Sequence, residues 1–409
     1  MKKSPKEISP WEGELDLLRQ AGLLRTMPVV SGLPGQTVTV NGKRVINFSS
    51  NNYLGLAGHP HVISGAMDAL REYGAGSTAS RLIVGNLDIH RQLEACIARW
   101  KGTEAALVFG SGYQANVGLL SSLVDEPDLI VSDELNHASI IDGCKLSKGK
   151  VAVYRHGDAN DVEDILKKTR ARRKLVVTES IFSMDGDAAP LRDLKLVCDL
   201  RGAILMVDEA HATGVMGPIG SGWAAQSGVS PEIQMGTLGK AVGVAGAYVA
   251  GERSLIDLLI NKSRSLIYTT APPPAAAGAA LAAIEIIVSP EGEARRRRLK
   301  ENVDLFHELL TQRFTTKFIM SHIVPVVVGP SAETMAVSAE CLKKGVFAHG
   351  VRYPTVPEGT ARLRFTLMSD HTEKDLEKAA GSLAAALKKI CPQGGLLRHQ
   401  NGRGLWLHN

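Results

Sequence analysis

Lys240 is the residue in this sequence whose surroundings most suggest chemistry. Gly236, Gly239, Gly243 and Gly246 leave it few bulky neighbours. A lysine held among small and apolar residues loses its proton more easily than a solvated one. Its free amine can then add to a carbonyl carbon and form a Schiff base. Asp208 follows the apolar run Ala203 to Val207, and His211 comes three residues later. A carboxylate at the end of a buried strand is costly without a cation nearby. Read alone, Asp208 is equally a helix-capping aspartate, and His211 alone reads more simply as a structural histidine. Gly110-Ser111-Gly112 follows the run Ala105 to Phe109 and opens a helix. Unpaired N–H groups and the helix dipole favour a phosphate there; a tight turn explains the motif equally well. His137 closes Asp133-Glu134-Leu135-Asn136-His137, and Ser183 closes Glu179-Ser180-Ile181-Phe182-Ser183. Both of these clusters also follow apolar runs.

The elements that must carry these groups can be read from the same pattern. The apolar runs are Ala105 to Phe109, Leu129 to Val131, Val151 to Tyr154, Leu175 to Thr178, Ala203 to Val207 and Ala247 to Ala250. Helix-like stretches separate them. That alternation predicts an α/β fold with a largely parallel sheet covered on both faces. In such sheets ligands bind beyond the carboxyl ends of strands, so successive polar clusters there imply one converging site. Before the sheet, the pattern predicts a helix over Trp11 to Leu24 and a small hairpin over Gln36 to Ser49, turning at Asn41-Gly42. Pro290 and Glu291 open a charged helix containing Arg295 to Arg298, read as a solvated face rather than a basic patch. The expected division is an N-terminal segment (1–58), a large domain (59–290), a smaller C-terminal α/β domain (291–392) and an irregular tail (393–409).

Bulk properties exclude several classes. The chain has 409 residues, 44% hydrophobic and 22% charged, with a net charge of +5 at pH 7. These are ordinary values for a globular protein, and no nucleic-acid partner is expected. The five cysteines form no C-x-x-C pair, so neither a zinc site nor a disulfide framework is expected; reduced thiols in a cytoplasmic protein fit best. The start has lysines but no apolar stretch after them, and so does not read as a secretory signal. The uncharged stretch Ser265 to Ile284 is broken by Pro272, Pro273 and Pro274, and no membrane span is expected.

Seven segments together carry a family likeness. They are NFSSNNYLGL from Asn47, GSTASRLIVGN from Gly76, SDELNHASIIDG from Ser132, SIFSMDGDAAPL from Ser180, VDEAHATGVMGPIGSG from Val207, GTLGKAVGVAGAYVAG from Gly236 and PTVPEGTARLR from Pro354. The chain resembles the α-oxoamine synthases, a family of fold-type-I enzymes dependent on pyridoxal 5'-phosphate (PLP), over roughly residues 11 to 385. The resemblance implies a mostly parallel seven-stranded sheet in the large domain. It implies that Lys240 holds PLP covalently and later removes the α-proton of an amino acid. It places Asp208 at the ring nitrogen, His211 at the phenolic oxygen, His137 on the ring face and Ser183 near the phenolic oxygen. Gly112, Tyr113 and Thr237 would hold the cofactor or its phosphate, Thr237 one turn before Lys240 if that segment is helical.

The same resemblance assigns Arg364 to the substrate carboxylate, where a planar guanidinium pairs best. Alternation along a strand points Arg362 to the same face, so only the motif separates the two. Arg25, Asn51 and Thr355 match substrate-side positions. Ile267-Tyr268-Thr269-Thr270 matches a segment that reaches the cofactor phosphate of a neighbouring subunit, which implies a homodimer with shared active sites. The nearest branch joins L-alanine to a pimeloyl thioester, carried by coenzyme A or a carrier protein. Relatives using glycine or serine need the same cofactor residues, and a non-catalytic PLP-binding relative is the remote alternative. Ser221 stands where arginine is common in the family, and Asn52 where aspartate is frequent.

Overall fold

The computed structural model describes residues 9–315, 321–391 and 406–407. The hairpin forms as its turn chemistry requires. Thr37–Val40 (β1) and Lys43–Asn47 (β2) pair around Asn41 and Gly42, both with positive φ. The first helix spans Pro10–Gln20, shorter than the sequence pattern suggested.

Seven strands build the central sheet. They are Ala105–Phe109 (β3), Leu129–Asp133 (β4), Lys150–Tyr154 (β5), Lys174–Glu179 (β6), Ile204–Asp208 (β7), Ile233–Thr237 (β8) and Ala247–Gly251 (β9). Their order is β3-β9-β8-β7-β6-β4-β5, with β9 antiparallel to both neighbours. β8 was not among the apolar runs, because Gln234, Gly236 and Thr237 interrupt it. Side chains alternate between two packed faces, as the strand period demands. Leu107, Ile130, Val177 and Met206 join one core cluster. Val131, Val176, Leu205 and Val207 join another.

Some helices start where a short polar side chain can accept their first N–H groups. Ser111 caps Gly112–Leu123 (α1), and Asp158 caps Ala159–Lys168. The uncharged stretch becomes the helix Pro274–Val288, most of whose residues are buried. It packs against Pro60–Tyr73 so closely that a Cβ on Gly278 would meet Gly65 O at 2.4 Å. An all-round apolar helix inside a protein needs no membrane. Among the described residues no single helix is long and apolar enough to cross one.

After the helix Pro290–Thr311 (α2), Ile323–Gly329 (β10), His349–Val351 (β11) and Ala361–Thr366 (β12) form an antiparallel sheet in the order β10-β12-β11. The short strand Val346–Phe347 pairs parallel with β2, so the N-terminal hairpin is knitted to this second layer. The arginine run is not one solvated face. Arg295 bonds Glu291, Leu54 O and Asp370, and Arg296 bonds Ile287 O, whereas Arg297 and Arg298 are exposed. The expected irregular tail lies outside the described residues, except that Trp406–Leu407 pairs with Phe314–Thr315.

Candidate active site

Lys240 lies in the loop between β8 and β9. Thr237 ends β8, and its hydroxyl donates to Gly246 O (3.0 Å) and accepts from Gly239 N–H (3.1 Å). The segment is therefore a pinned turn, not the helical turn that would set Thr237 directly beneath Lys240. Gly243 has φ +78°, and a Cβ there would meet Ala57 N at 2.5 Å, so only glycine fits.

A directed chain of hydrogen bonds leads away from Lys240. Its Nζ lies 3.0 Å from His211 Nε2. Burial, reinforced by the charge of Lys240, holds His211 well below the usual histidine range. The neutral ring therefore accepts from Lys240 at Nε2 and donates from Nδ1 to the Tyr53 hydroxyl (2.7 Å). Tyr53 donates to Asn51 Oδ1 (2.9 Å), which also accepts from Arg364 Nη1 (3.3 Å). One network thus joins Lys240, His211, Asn51 and Arg364. Burial lowers Lys240 to about 8, against the opposing pull of Asp208 and Glu179.

Arg362 and Arg364 share a strand face but differ in partners. Arg362 is neutralised by Asp185 (2.7 Å). Arg364, 9% exposed, donates from Nε to Ser183 O and from Nη1 to the Asn51 amide. Among the described residues no carboxylate pairs with it. A buried guanidinium left with neutral partners is prepared for an anion from outside.

Asp208 ends β7 and is 4% exposed. Its Oδ1 accepts from Ala210 N–H (2.9 Å) and its Oδ2 from Asn116 Nδ2 (2.8 Å). Asn116 gives its second hydrogen to Ser139 Oγ (2.9 Å), leaving the serine hydroxyl to donate to His137 Nδ1 (2.8 Å). Ser139 N–H also points at that nitrogen. His137 therefore carries its proton on Nε2. The sequence reasoning passed over Asn116, the residue that ties Asp208 to His137.

Two further carboxylates escaped it. Glu179 ends β6 directly beside Asp208. It is 3% exposed, and burial together with the Asp208 charge raises it to about 8. The backbone N–H groups of His137 and Ser183 favour its charged form. Its sequence signal equals that of Asp208, a carboxylate closing an apolar run. Glu209 spends both oxygens on Trp223 N–H (2.9 Å) and Ala224 N–H (2.8 Å), with Lys101 3.9 Å away. That position is structural. Lys101 also donates to Ser221 O, so a lysine from another helix holds the loop that carries Ser221. Asn52 fastens its own loop through Pro34 O and Ala57 N–H.

His156, also unforeseen, bridges Asp133 (3.0 Å) and Asp187 (2.7 Å) and so ties the end of β4 to the loop that carries Ser183. Burial opposes its charge, but the two carboxylates raise it to about 10. Folded, it keeps its proton up to about pH 10, against 6.5 for the ordinary group. Its stabilisation is complete below pH 6.5 and fades as pH rises to 10. His156→Gln should cost about 2 kcal/mol at pH 6. Denaturant midpoints of variant and parent should converge by pH 10.

The remaining expected residues sit apart from this network. Gly112 and Tyr113 open α1, with first-turn N–H groups directed out of the helix; the Tyr113 hydroxyl donates to Asp142 (2.6 Å). Arg25 and Thr355 meet each other at 3.4 Å on exposed segments. Thr270 is exposed and has no hydrogen bond among the described residues.

The donor set suits PLP. A buried amine of low basicity, a buried carboxylate and a helix N-terminus match the cofactor's aldehyde, ring nitrogen and phosphate. Among the described residues, buried Asn116 Oδ1, Glu179 Oε1 and Ser180 Oγ beside the cluster have no hydrogen-bond partner. Residues 43–383 match the model of the aminotransferase class I and II family. The chain belongs to that family. Similar relatives include the 8-amino-7-oxononanoate synthase of Geobacter sulfurreducens, 48% identical over 92% of this chain and 98% of the relative. That of Geobacter metallireducens is 49% identical over 91% and 96%. Among solved structures, Sphingomonas wittichii serine palmitoyltransferase superposes with a TM-score of 0.87 at 30% identity, covering 94% of this chain and 98% of that one. The 8-amino-7-oxononanoate synthase of Francisella tularensis gives 0.73 at 29%, covering 84% and 98%. The fold is thus the fold-type-I PLP transferase fold expected from the motifs, and the cofactor of this class I and II enzyme is PLP.

Proposed function

We propose that this enzyme is a PLP-dependent acyltransferase that condenses L-alanine with a pimeloyl thioester, releasing 8-amino-7-oxononanoate, CO2 and the free thiol, a step of biotin biosynthesis. The observation that carries this reading is the near-full-length likeness to 8-amino-7-oxononanoate synthases, on a site that sets an unneutralised Arg364 in one network with Lys240. When bound, PLP supplies an electron-accepting ring that stabilises negative charge at the amino-acid Cα.

The chain's own residues would do the rest. Lys240 Nζ holds the cofactor at rest and, once freed, takes the Cα proton. Asp208, oriented by Asn116 and Ala210 N–H, keeps a proton on the ring nitrogen. His211 and Ser183 would serve the phenolic oxygen, and His137 would cover the ring. Gly112, Tyr113 and Thr237 would hold the phosphate end. Arg364 and Asn51 take the alanine carboxylate and turn the Cα–H bond toward Lys240. Arg25 and Thr355, adjacent on exposed segments, contact the acyl donor. Thr270, exposed in the single chain, fits a role across the interface of a homodimer. We place the protein in the cytoplasm, consistent with its five free cysteines.

Removing Arg364 tests the carboxylate assignment. Arg364→Ala should raise KM for alanine about 10²-fold, the loss of a bidentate charge-assisted pair. Arg364→Lys should recover only part of it, since an ammonium cannot match the fork. The reaction itself is tested by a panel pairing alanine, glycine and serine with acetyl, pimeloyl and palmitoyl thioesters. Alanine with the pimeloyl donor should give the highest kcat/KM; glycine with the acetyl donor leading would overturn the reading.

A further inference from the structure

A cavity lies beside the catalytic cluster and has no part in the reaction above. It encloses about 1060 Å³ between the loops after β6 and β7 and the helix α2. That volume is at the upper end of what small-molecule sites use. Ile181, Val215, Met216, Trp223, Leu299 and Val303 give it apolar walls. Lys240, Asp208 and Arg364 do not line it.

Two polar features break that apolar surface. His322 borders the cavity, is 2% exposed, and has neither ring nitrogen hydrogen-bonded among the described residues. Its ring lies 4.0 Å from that of Tyr53, between the cavity and the Lys240 network. Burial first, then Arg364 and Lys240, lower it to about 3, so it stays neutral and offers one donor and one acceptor. Buried polar groups normally find partners, and an unmet pair of this kind points to a missing one. The other feature is charge on the α2 wall. Arg296, Arg297, Lys300, Glu293 and Asp304 all line the cavity. Lys300 is taken up by Asp304. Arg296 spends one N–H on Ile287 O, and Arg297 is exposed. Two arginines thus face one remaining carboxylate, Glu293, on that wall. Asp187, on the opposite side, is engaged by His156.

We infer that this cavity binds an aliphatic carboxylate with a polar far end: carboxylate toward Arg296 and Arg297, chain along the apolar walls, and a hydroxyl or carbonyl at His322. The ligand needs both ends, because the walls satisfy only methylenes and His322 satisfies only a hydrogen-bonding group.

The test is calorimetric titration of the PLP-loaded enzyme with 10-hydroxydecanoate and with decanoate. The hydroxy acid should bind saturably with a midpoint below about 1 mM, and decanoate about tenfold more weakly, having no partner for His322. His322→Phe should remove the difference between the two acids. Arg297→Glu, an exposed change that leaves packing alone, should weaken both severalfold. Ala225→Phe at the exposed rim should block both. Saturating L-alanine should leave binding unchanged, because the catalytic cleft is a different site. Absence of saturable binding, equal affinity for the two acids, indifference to both Arg297→Glu and Ala225→Phe, or displacement by alanine would each overturn the assignment. The inference stands apart from the proposed reaction, since the binding is read without turnover.

Discussion

Lys240→Ala should lower turnover by about 10⁴-fold or more, since it removes both the covalent tether and the group that takes the Cα proton. The variant should bind PLP without covalent attachment, shown by mass spectrometry after borohydride reduction. Lys240→Arg should fare no better, because a guanidinium does not give up its proton in a protein. The environment makes a second, independent demand. Burial brings Lys240 down to about 8 from 10.5, against the pull of Asp208 and Glu179. A group whose folded pKa is depressed becomes a free amine at lower pH than its solvated counterpart. Covalent capture of PLP by the cofactor-free protein should therefore accelerate through pH 8 and level off well below pH 10. A rate still climbing through pH 10 would show the amine to be solvated. A Lys240→Ala enzyme with near-normal turnover would refute the mechanism.

Much of this was legible in the sequence, for identifiable reasons. Strands buried on both faces become continuous apolar runs, so β3, β4, β6 and β7 could be placed from hydrophobicity alone. β8 could not, because Gly236 leaves the space that the Tyr248 ring fills; a Cβ there would meet its hydroxyl at 2.3 Å. The strand is held by pairing with β7 on one side and β9 on the other. The arginine run shows the opposite failure. Four successive arginines look solvated, yet Arg295 reaches Leu54 O and Asp370 across the fold. Only tertiary geometry supplies such partners.

In the site, residue type plus position after a strand found Asp208 and His137, whereas Lys240 stood out by its glycine neighbours. The same rule should have selected Glu179 and was not applied to it. Asn116 sits mid-helix with no local signal, and Tyr53 reads as core. Their importance lies in a hydrogen-bond direction, which sequence does not encode. Arg362 and Arg364 stayed inseparable by alternation until Asp185 was seen to neutralise one and not the other.

Three buried carboxylates now stand within two adjacent strand ends, and they should respond differently to loss of charge. Asp208→Asn should lower turnover about 10³-fold, the scale of removing one preorganised electrostatic contact from a closed site. An amide cannot hold a proton on the ring nitrogen, and without that proton the ring accepts electrons poorly. The cost should fall on kcat, with the absorbance of bound PLP altered and cofactor affinity reduced. Glu179→Gln should change turnover little near neutral pH. Its carboxyl, raised to about 8, is already largely protonated there, so the amide mimics the resident form. A difference should emerge only above pH 8, where the parent ionises beside Asp208 and the variant cannot. Glu209→Gln should instead cost stability, because its two oxygens hold Trp223 and Ala224 N–H groups and an amide can accept at only one of them. Unfolding midpoints and kcat, measured side by side across the three variants, separate the roles. If Glu179→Gln proved as damaging as Asp208→Asn at pH 7, the carboxylate beside the ring nitrogen would have been assigned to the wrong strand.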